Sequence, residues 1–396
     1  MKILTAMQEA TRLTRARDLA GATRLIQQAL NGTAPRPEPE TETTTDLLLE
    51  GPASVVGRGE SAGPARHAHG AGARMPLGEA IDLLRNFRPP RLDLGGLPLA
   101  RRPQPPLTQG AASLTRSFSC AAGSRDYKVY VPSSVQEKPP LIVMLHGCTQ
   151  NADDFAVGTR MNQLAEEKGF IVIYPEQSQG ANSSRCWNWF HRGHQARGVG
   201  EPSIIAGLTQ SVIEEFDVDA GRVFVAGLSA GGAMAVVLGE TYPDLYAAMG
   251  VHSGLAFGVA ADVVSAFAAM RGDVNLAQNG AQKARSGASK ALRAIIFHGA
   301  ADQQVHPSNG GMIFSDARSA LAGGVRLMEE DGEEEDRAFR RTTMVDLKGD
   351  ACVEHWEVEG LGHAWSGGDP KGSYADRHGP DASREMLRFF LEPKVE

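Results

Sequence analysis

The chain has 396 residues, of which 42% are hydrophobic, so it is long enough for one large domain with a sizeable core and an appendage. Its formal charge of −7 at pH 7 argues against a nucleic-acid-binding protein held by phosphate contacts. No apolar stretch reaches the length of a membrane span, and charged residues interrupt the amino-terminal segment 1–21. Neither a membrane span nor a secretory signal is therefore predicted, and a cytoplasmic location is expected.

The amino-terminal part of the chain divides in two by composition. Residues 1–30 carry apolar side chains at helical spacing in two stretches, which predicts a helical hairpin that packs on the body or on a second copy. Residues 31–112 hold 12 of the 22 prolines, with many glycines and charged residues. This composition predicts a largely disordered linker with one short helix near Leu77–Phe87.

From residue 113 to residue 396, short apolar runs alternate with helical patterns. Tyr127–Pro132 alternates like an early strand. The apolar runs that follow are Leu141–Gly147, Phe170–Glu176, Arg222–Ser229, Ala247–Gly254, Arg293–Ala300 and Val353–Gly360. Such runs are typical of buried parallel strands, and the alternation predicts an α/β domain with a mostly parallel central sheet and helices on both faces. The charge-rich segment Arg326–Arg341 is expected to be a solvated loop or a frayed helix.

The segment Gly227-Leu228-Ser229-Ala230-Gly231 matches the G-x-S-x-G pattern of a nucleophile elbow. It follows a strand-like run and precedes a helix-like one, which is the setting that this elbow has in the α/β-hydrolase fold. Small residues let the tight turn close and present the serine hydroxyl at the end of the strand. Ser229 is therefore the predicted nucleophile, and the alternative is a glycine-rich turn with an incidental serine.

A serine hydroxyl needs a neighbouring base to take its proton, and in this fold the acid and then the histidine follow the serine along the chain. Asp302 comes just after a strand-like run, whereas the rival acids Asp273 and Asp350 do not. His363 lies just past the last predicted strand, in a loop that glycines can shape. These positions predict that Ser229, Asp302 and His363 form a catalytic triad.

The predicted strand Leu141–Gly147 runs into a turn that can supply a backbone N–H to an oxyanion hole. Cys148 is the predicted donor, with Thr149 as the alternative one residue along. The second predicted donor is the N–H of Ala230, which follows the nucleophile.

Two further sets of residues are expected near this end of the sheet. Cys148 and Cys186 are a candidate disulfide that would fix the oxyanion turn, and two free thiols are the alternative, while Cys120 with Cys352 is a weaker second pair. The aromatic residues Trp187, Trp189, Phe190 and Trp365 are candidates for the substrate pocket. Packing in the core, or support of the loop around Trp187, is the alternative for Trp187 and Trp189.

The strings MLHGCTQ, CWNWF, AGLSAGGAMA and GLGHAWSGG resemble the polyhydroxybutyrate depolymerase-type esterases, which are related to feruloyl and acetylxylan esterases. The resemblance runs from about Arg116 to Leu391. It implies ester hydrolysis through Ser229, Asp302 and His363, without a metal or organic cofactor. An extracellular location, as for many members of the family, becomes the alternative to a cytoplasmic one.

Compared with the secreted polymer-degrading members, the sequence is expected to lack both an export signal and an appended polymer-binding module. The resemblance implies a substrate of the poly(3-hydroxybutyrate) type, as polymer or oligomer, and the alternative is a feruloyl or acetyl ester of plant polysaccharide. A third hypothesis makes the domain an inactive scaffold whose amino-terminal hairpin binds a partner. The oligomeric state is not predicted.

Overall fold

A computed structural model describes residues 103–273, 292–321 and 324–391. Contacts between α-carbons divide the chain into the units Met1–Leu92 and Asp93–Glu396, and every described residue belongs to the second unit. The predicted hairpin of residues 1–30 and the short helix at Leu77–Phe87 lie outside the described residues, as does most of the predicted linker. The domain start predicted at residue 113 falls one residue inside the first strand.

Twelve strands and seven α-helices are formed within these ranges. The strands are β1 (Ala112–Cys120), β2 (Gly123–Val131), β3 (Leu141–Leu145), β4 (Ile171–Pro175), β5 (Val223–Leu228), β6 (Ala248–His252), β7 (Arg293–Gly299), β8 (Arg326–Glu334), β9 (Arg337–Val345), β10 (Ala351–Val358), β11 (Trp365–Ser366) and β12 (Ala375–Asp376). The helices are α1 (Ala152–Thr159), α2 (Met161–Lys168), α3 (Gly200–Phe216), α4 (Ala230–Thr241), α5 (Val263–Met270), α6 (Ser308–Ala320) and α7 (Ala382–Leu391).

Ten of the strands form one sheet in the order β1-β2-β4-β3-β5-β6-β7-β10-β9-β8. The six central strands, from β4 to β10, are parallel, and an antiparallel pair extends the sheet on each side. The predicted mostly parallel sheet is therefore confirmed. Because the carboxyl ends of parallel strands meet at one edge, the loops after β3, β5, β6, β7 and β10 lie side by side.

Alternate residues of the central strands face two separate hydrophobic cores, as the two-residue period of a strand requires. Leu141, Val143 and Leu145 of β3 belong to the core under α3 and α4. Ile142 and Met144 of the same strand belong to the core under α1, α2 and α7. All five are fully buried, so the helices that flank the sheet cover it on both faces. None of the helices in the described ranges is long and apolar enough to cross a membrane.

The segment Arg326–Arg341 is not the predicted loop or frayed helix but most of the β8–β9 hairpin. Glu335 and Asp336 form its two-residue turn with φ values of 45° and 64°, the left-handed conformation that suits a tight hairpin. Opposite charges face each other across the strands, including Asp331 with Arg340. The prediction was wrong because it treated these charges as a sign of solvation rather than as cross-strand pairs.

Candidate active site

The predicted catalytic residues all follow the carboxyl ends of neighbouring parallel strands. Ser229 comes directly after β5, Asp302 follows β7, and His363 follows β10. The oxyanion turn that contains Cys148 follows β3, which pairs with β5. The sheet therefore collects four segments that are far apart in the sequence at one edge.

Ser229 stands on a strained turn between β5 and α4. Its backbone has φ 56° and ψ −119°, which non-glycine residues rarely adopt and which marks functional positions when the surroundings enforce it. A Cβ added at Gly231 would lie 2.0 Å from Leu145 O, so only glycine lets the start of α4 pass this close to β3. The turn holds Ser229 half-exposed above the otherwise buried strand.

Asp302 is the acid that lies against His363. Its Oδ2 accepts a hydrogen bond of 2.7 Å from His363 Nδ1, and its Oδ1 accepts bonds of 2.9 Å from the N–H groups of Gln304 and Val305. Burial alone disfavours the charged carboxylate, but the bond to His363, the charge of His363 and the Val305 N–H outweigh it and lower the pKa of Asp302. The predicted pairing of Asp302 with His363 is present in the structure.

Two buried histidines that the sequence did not single out as functional support this pair. His298 on β7 donates from Nε2 to Val305 O at 2.9 Å, and the same nitrogen lies 3.6 Å from Asp302 Oδ2. His252 at the end of β6 accepts a bond from Ser229 N at its carbonyl (2.9 Å) and from Ser366 N at Nε2 (3.0 Å).

His252 therefore connects the nucleophile elbow to the loop that carries His363. Burial, followed by the nearby imidazoles of His298 and His363, lowers the pKa of His252 to about 3. The ring stays neutral near pH 7, which keeps Nε2 available as the acceptor for Ser366 N. No short motif identifies this role, because it depends on two backbone groups distant in sequence.

The oxyanion turn passes directly beside the nucleophile, since a Cβ added at Gly147 would lie 3.6 Å from Ser229 Cβ. The N–H of Gly147 is bonded to Gln150 Oε1 at 2.9 Å, and that of Thr149 to Ser184 O at 2.7 Å. Between them, the Cys148 N–H has no acceptor among the described residues. This arrangement favours Cys148 over Thr149 as the donor.

The second expected donor, Ala230, is the first residue of α4. The first backbone N–H groups of a helix have no partner within the helix, and the helix dipole adds partial positive charge there. Both properties suit an N–H that stabilises a negatively charged oxygen.

A disulfide joins Cys148 to Cys186, with the α-carbons 4.2 Å apart. It ties the oxyanion turn to the loop Cys186–Phe190. The weaker pair proposed from the sequence is not formed, because Cys120 and Cys352 are both free thiols.

The buried carboxylate of Glu201 holds the same loop from beneath. It accepts hydrogen bonds from Asn188 N at 2.7 Å and Asn188 Nδ2 at 2.8 Å, and also from Gln177 Nε2. Arg125 forms a salt bridge of 2.8 Å with it, and both side chains are less than 10% exposed. The oxyanion turn therefore depends on a buried ion pair that the sequence pattern did not reveal.

The three tryptophans predicted to contact substrate are buried: Trp187 is 0% exposed, Trp189 6% and Trp365 1%. Trp187 Nε1 donates to His146 O at 3.1 Å, and Trp365 Nε1 donates to Ser383 Oγ at 3.0 Å. The indole N–H groups of Trp187 and Trp365 are thus satisfied inside the protein. This burial favours the packing alternative, and contact of the three rings with substrate stays a prediction.

Across the described ranges, no three His, Cys, Asp or Glu side chains are close enough together to hold a metal ion. The arrangement offers a serine hydroxyl on a strained turn, a histidine oriented by a carboxylate, and two backbone donors, which are the groups that nucleophilic acyl transfer needs.

The model of the family described as esterase PHB depolymerase matches residues 125–326, just over half of the chain. The match includes Ser229 and Asp302, and His363 lies beyond it. Among similar proteins, poly(3-hydroxyalkanoate) depolymerase C of Paucimonas lemoignei is 34% identical over 50% of this chain and 49% of its own length. Feruloyl esterase B of Thermothelomyces thermophilus is 32% identical over 51% of this chain and 72% of its own length.

The chain thus spans only about half the length of the depolymerase and 57% of a probable acetylxylan esterase A of Neosartorya fischeri, which is 31% identical over 51% of this chain. A solved structure, the acetyl xylan esterase from Aspergillus awamori, superposes with a TM-score of 0.55 over 71% of this chain and 98% of that one. Their identity is 21%, so this likeness shows a shared α/β-hydrolase fold.

Proposed function

Because the chain belongs to the esterase PHB depolymerase family, we propose that it is a serine esterase with Ser229 as nucleophile, His363 as base and Asp302 as the residue that orients the base. The observation that carries this proposal is the 2.7 Å hydrogen bond between Asp302 and His363, at the same sheet edge as the strained elbow of Ser229.

The reaction begins when Ser229 Oγ attacks the ester carbonyl carbon and His363 takes the hydroxyl proton. The carbonyl oxygen becomes an oxyanion, which accepts hydrogen bonds from the N–H groups of Cys148 and Ala230. The bond to the alcohol oxygen then breaks, His363 gives its proton to that oxygen, and the acyl group remains on Ser229.

Water completes the cycle. His363 takes a proton from a water molecule, whose oxygen attacks the acyl-enzyme carbonyl, and the second tetrahedral intermediate releases the carboxylic acid and restores the Ser229 hydroxyl. Asp302 remains ionised throughout and stabilises the imidazolium of His363, in keeping with its lowered pKa.

Replacing the nucleophile tests the proposal. Ser229→Ala should lower kcat on p-nitrophenyl acetate by about a thousandfold or more, with an unchanged melting temperature. Ser211→Ala, in the middle of α3, is the matched control and should keep wild-type activity. Activity of the Ser229 variant within about tenfold of wild type would exclude this serine as the nucleophile.

For the substrate we propose oligomers or polymers of hydroxyalkanoate esters, supported by the match to the Paucimonas depolymerase. The matches to feruloyl esterase B and to acetylxylan esterases support a second candidate, an ester of plant polysaccharide. Product analysis with hydroxybutyrate trimer, methyl ferulate and acetylated xylan in parallel tests this choice, since the true class should show the highest kcat/KM.

We further propose that the protein works outside the reducing cytoplasm, where cellular thiols keep most cysteines reduced. The Cys148–Cys186 disulfide beside the oxyanion turn supports the extracellular alternative. Fractionation of the source cells tests this location, and recovery of the active enzyme only from the cytoplasm with four titratable thiols would contradict it.

A further inference from the structure

Tyr374 is an aromatic residue beside the catalytic histidine that differs from the buried tryptophans. Its side chain is half-buried, and its ring lies nearly perpendicular to that of His363, with 6.2 Å between the ring centroids and 80° between the planes. Its backbone φ is 51°, in the left-handed region that a bulky side chain rarely adopts. Tyr374 thus combines an unfavourable backbone with a half-buried side chain that lies beside His363 and also packs against the core under α1, α2 and α7.

Hydrogen bonds hold the loop around Tyr374 on both sides. Ser373 O accepts a 2.8 Å bond from Gln150 Nε2, and Ser373 N donates to Asp154 Oδ1 at 2.9 Å. Tyr374 O accepts a 2.7 Å bond from Trp365 N in the histidine loop. Gln150 also accepts the Gly147 N–H, so the loop is joined to the oxyanion turn as well.

These bonds explain how the left-handed conformation persists, because a strained residue survives only where its surroundings determine its backbone. They also hold the backbone of residues 373–374 between the loop that carries His363 and the oxyanion turn. An unfavourable conformation that is enforced in this way beside a reactive group is a reason to look for a function of the side chain.

The position of the Tyr374 ring relative to His363 indicates which part of the ester it would contact, the alcohol or the acyl group. His363 must give its proton to the leaving alcohol oxygen, which therefore comes within about 3 Å of the imidazole. The centroid of the Tyr374 ring lies 6.2 Å from that of the imidazole, which is within reach of carbon atoms one or two bonds beyond that oxygen.

We propose that Tyr374 forms the wall of the site for the leaving alcohol and so determines which alcohols the enzyme accepts. This inference rests on the proposed esterase function and deepens it. Suitable alcohols present an apolar C–H surface to the ring, which both the next unit of a hydroxyalkanoate oligomer and a sugar ring can do.

Two ester series separate the alcohol side from the acyl side. In the first series the acyl group is always acetyl and the alcohol is ethanol or cyclohexanol. In the second the alcohol is always methanol and the acyl group is acetyl, butyryl or feruloyl. Hydroxybutyrate trimer and acetylated xylan then distinguish an oligoester alcohol from a sugar.

Tyr374→Ala should lower kcat/KM for cyclohexyl acetate by about tenfold or more, and change ethyl acetate and the whole acyl series by less than about threefold. Tyr374→Phe keeps the ring and should behave like wild type. Tyr374→Gly removes both the ring and the backbone penalty, and should show the same loss on the bulky alcohol as the alanine variant. Phe118→Ala, on β1, is the control aromatic and should leave both series unchanged.

Several results would overturn the proposal. Equal losses in both series would make the ring a packing element of the loop. Wild-type selectivity in the glycine variant would assign the effect to the backbone, and a loss with phenylalanine as large as with alanine would assign it to the hydroxyl. Failure of the esterase proposal itself looks different, since the wild-type protein would then hydrolyse none of the esters.

Discussion

Both oxygens of Asp302 have assigned partners. Oδ1 accepts hydrogen bonds from two backbone N–H groups, and Oδ2 accepts a hydrogen bond from His363 Nδ1–H. With Nδ1 protonated, the neutral His363 ring leaves Nε2 free to take the proton of Ser229. Because Oδ2 of Asp302 can only accept a hydrogen bond, it determines that the neutral His363 ring carries its proton on Nδ1.

Asp302→Asn should lower kcat by about a thousandfold or more with little change in folding, because an amide NH2 facing Nδ1 favours the wrong tautomer of His363. Steady-state kinetics on p-nitrophenyl acetate, with circular dichroism as a check on folding, measure this effect. Asp273→Asn is the matched control, since Asp273 is the rival acid in the sequence. A severe loss in the Asp273 variant, with an active Asp302 variant, would show that the acid is misassigned.

At the scale of elements, the loop Cys186–Phe190 is held by one covalent bond and one buried carboxylate. Glu201 lies in the first turn of α3, where the helix dipole favours a negative charge, and it bonds both to this loop and to Arg125. Removing one member of a buried ion pair leaves the other charge without compensation.

Glu201→Ala should therefore lower the free energy of unfolding by about 3 kcal/mol or more, because Arg125 remains buried without its partner. Urea unfolding monitored by tryptophan fluorescence measures the change. Glu215→Ala breaks the salt bridge to Arg116, whose partners are 39% and 41% exposed, and should have little effect. Equal unfolding midpoints for the two variants would contradict a structural role for the buried pair.

Elements with a local signal were predictable from the sequence, and elements defined by distant contacts were not. The apolar run of β5 and the glycines around Ser229 act within a few residues, so the sequence predicted the strand, the turn and the helix at this position. The β8–β9 hairpin depends on cross-strand charge pairs, and its turn contains no glycine, so its sequence gave no turn signal. Trp365 is buried with its indole N–H bonded to Ser383 in α7, a contact that spacing alone does not show.

At the scale of the whole molecule, buried histidines make stability depend on pH, and burial lowers the pKa of His298 as well as those of the three histidines that follow. Burial lowers the pKa of His146 to about 4, of His252 to about 3 and of His355 to about 4, from 6.5 in an exposed histidine. Between pH 6.5 and about 4, the unfolded chain binds protons at these positions that the folded protein does not bind. The contribution of these histidines to the free energy of unfolding is therefore fully present above pH 6.5 and is lost as the pH falls towards 4.

We expect the free energy of unfolding to decrease between pH 6.5 and 5, with a slope that approaches about 1.4 kcal/mol per pH unit for each of these histidines near pH 5. Urea titrations across this range measure the slope. His355→Leu should make this slope shallower, because leucine has no group that titrates in the unfolded chain. The change breaks no hydrogen bond of His355 Nε2, which is buried with no hydrogen-bond partner in the described residues. A stability that is independent of pH over this range would contradict the burial of these rings.

The common direction of the central strands also determines the orientation in which the protein would adsorb to a solid surface. Because the candidate catalytic groups all follow the carboxyl ends of parallel strands, a polyester film, if the proposed substrate is correct, would be approached end-on, with the strand axes close to the film normal. The turn at Glu335 and Asp336 lies at this end too, since Phe339 near the start of β9 pairs with Val358 at the end of β10. Adsorption would thus bring carboxylates against the film, and added salt should increase coverage of a negatively charged film by screening that repulsion.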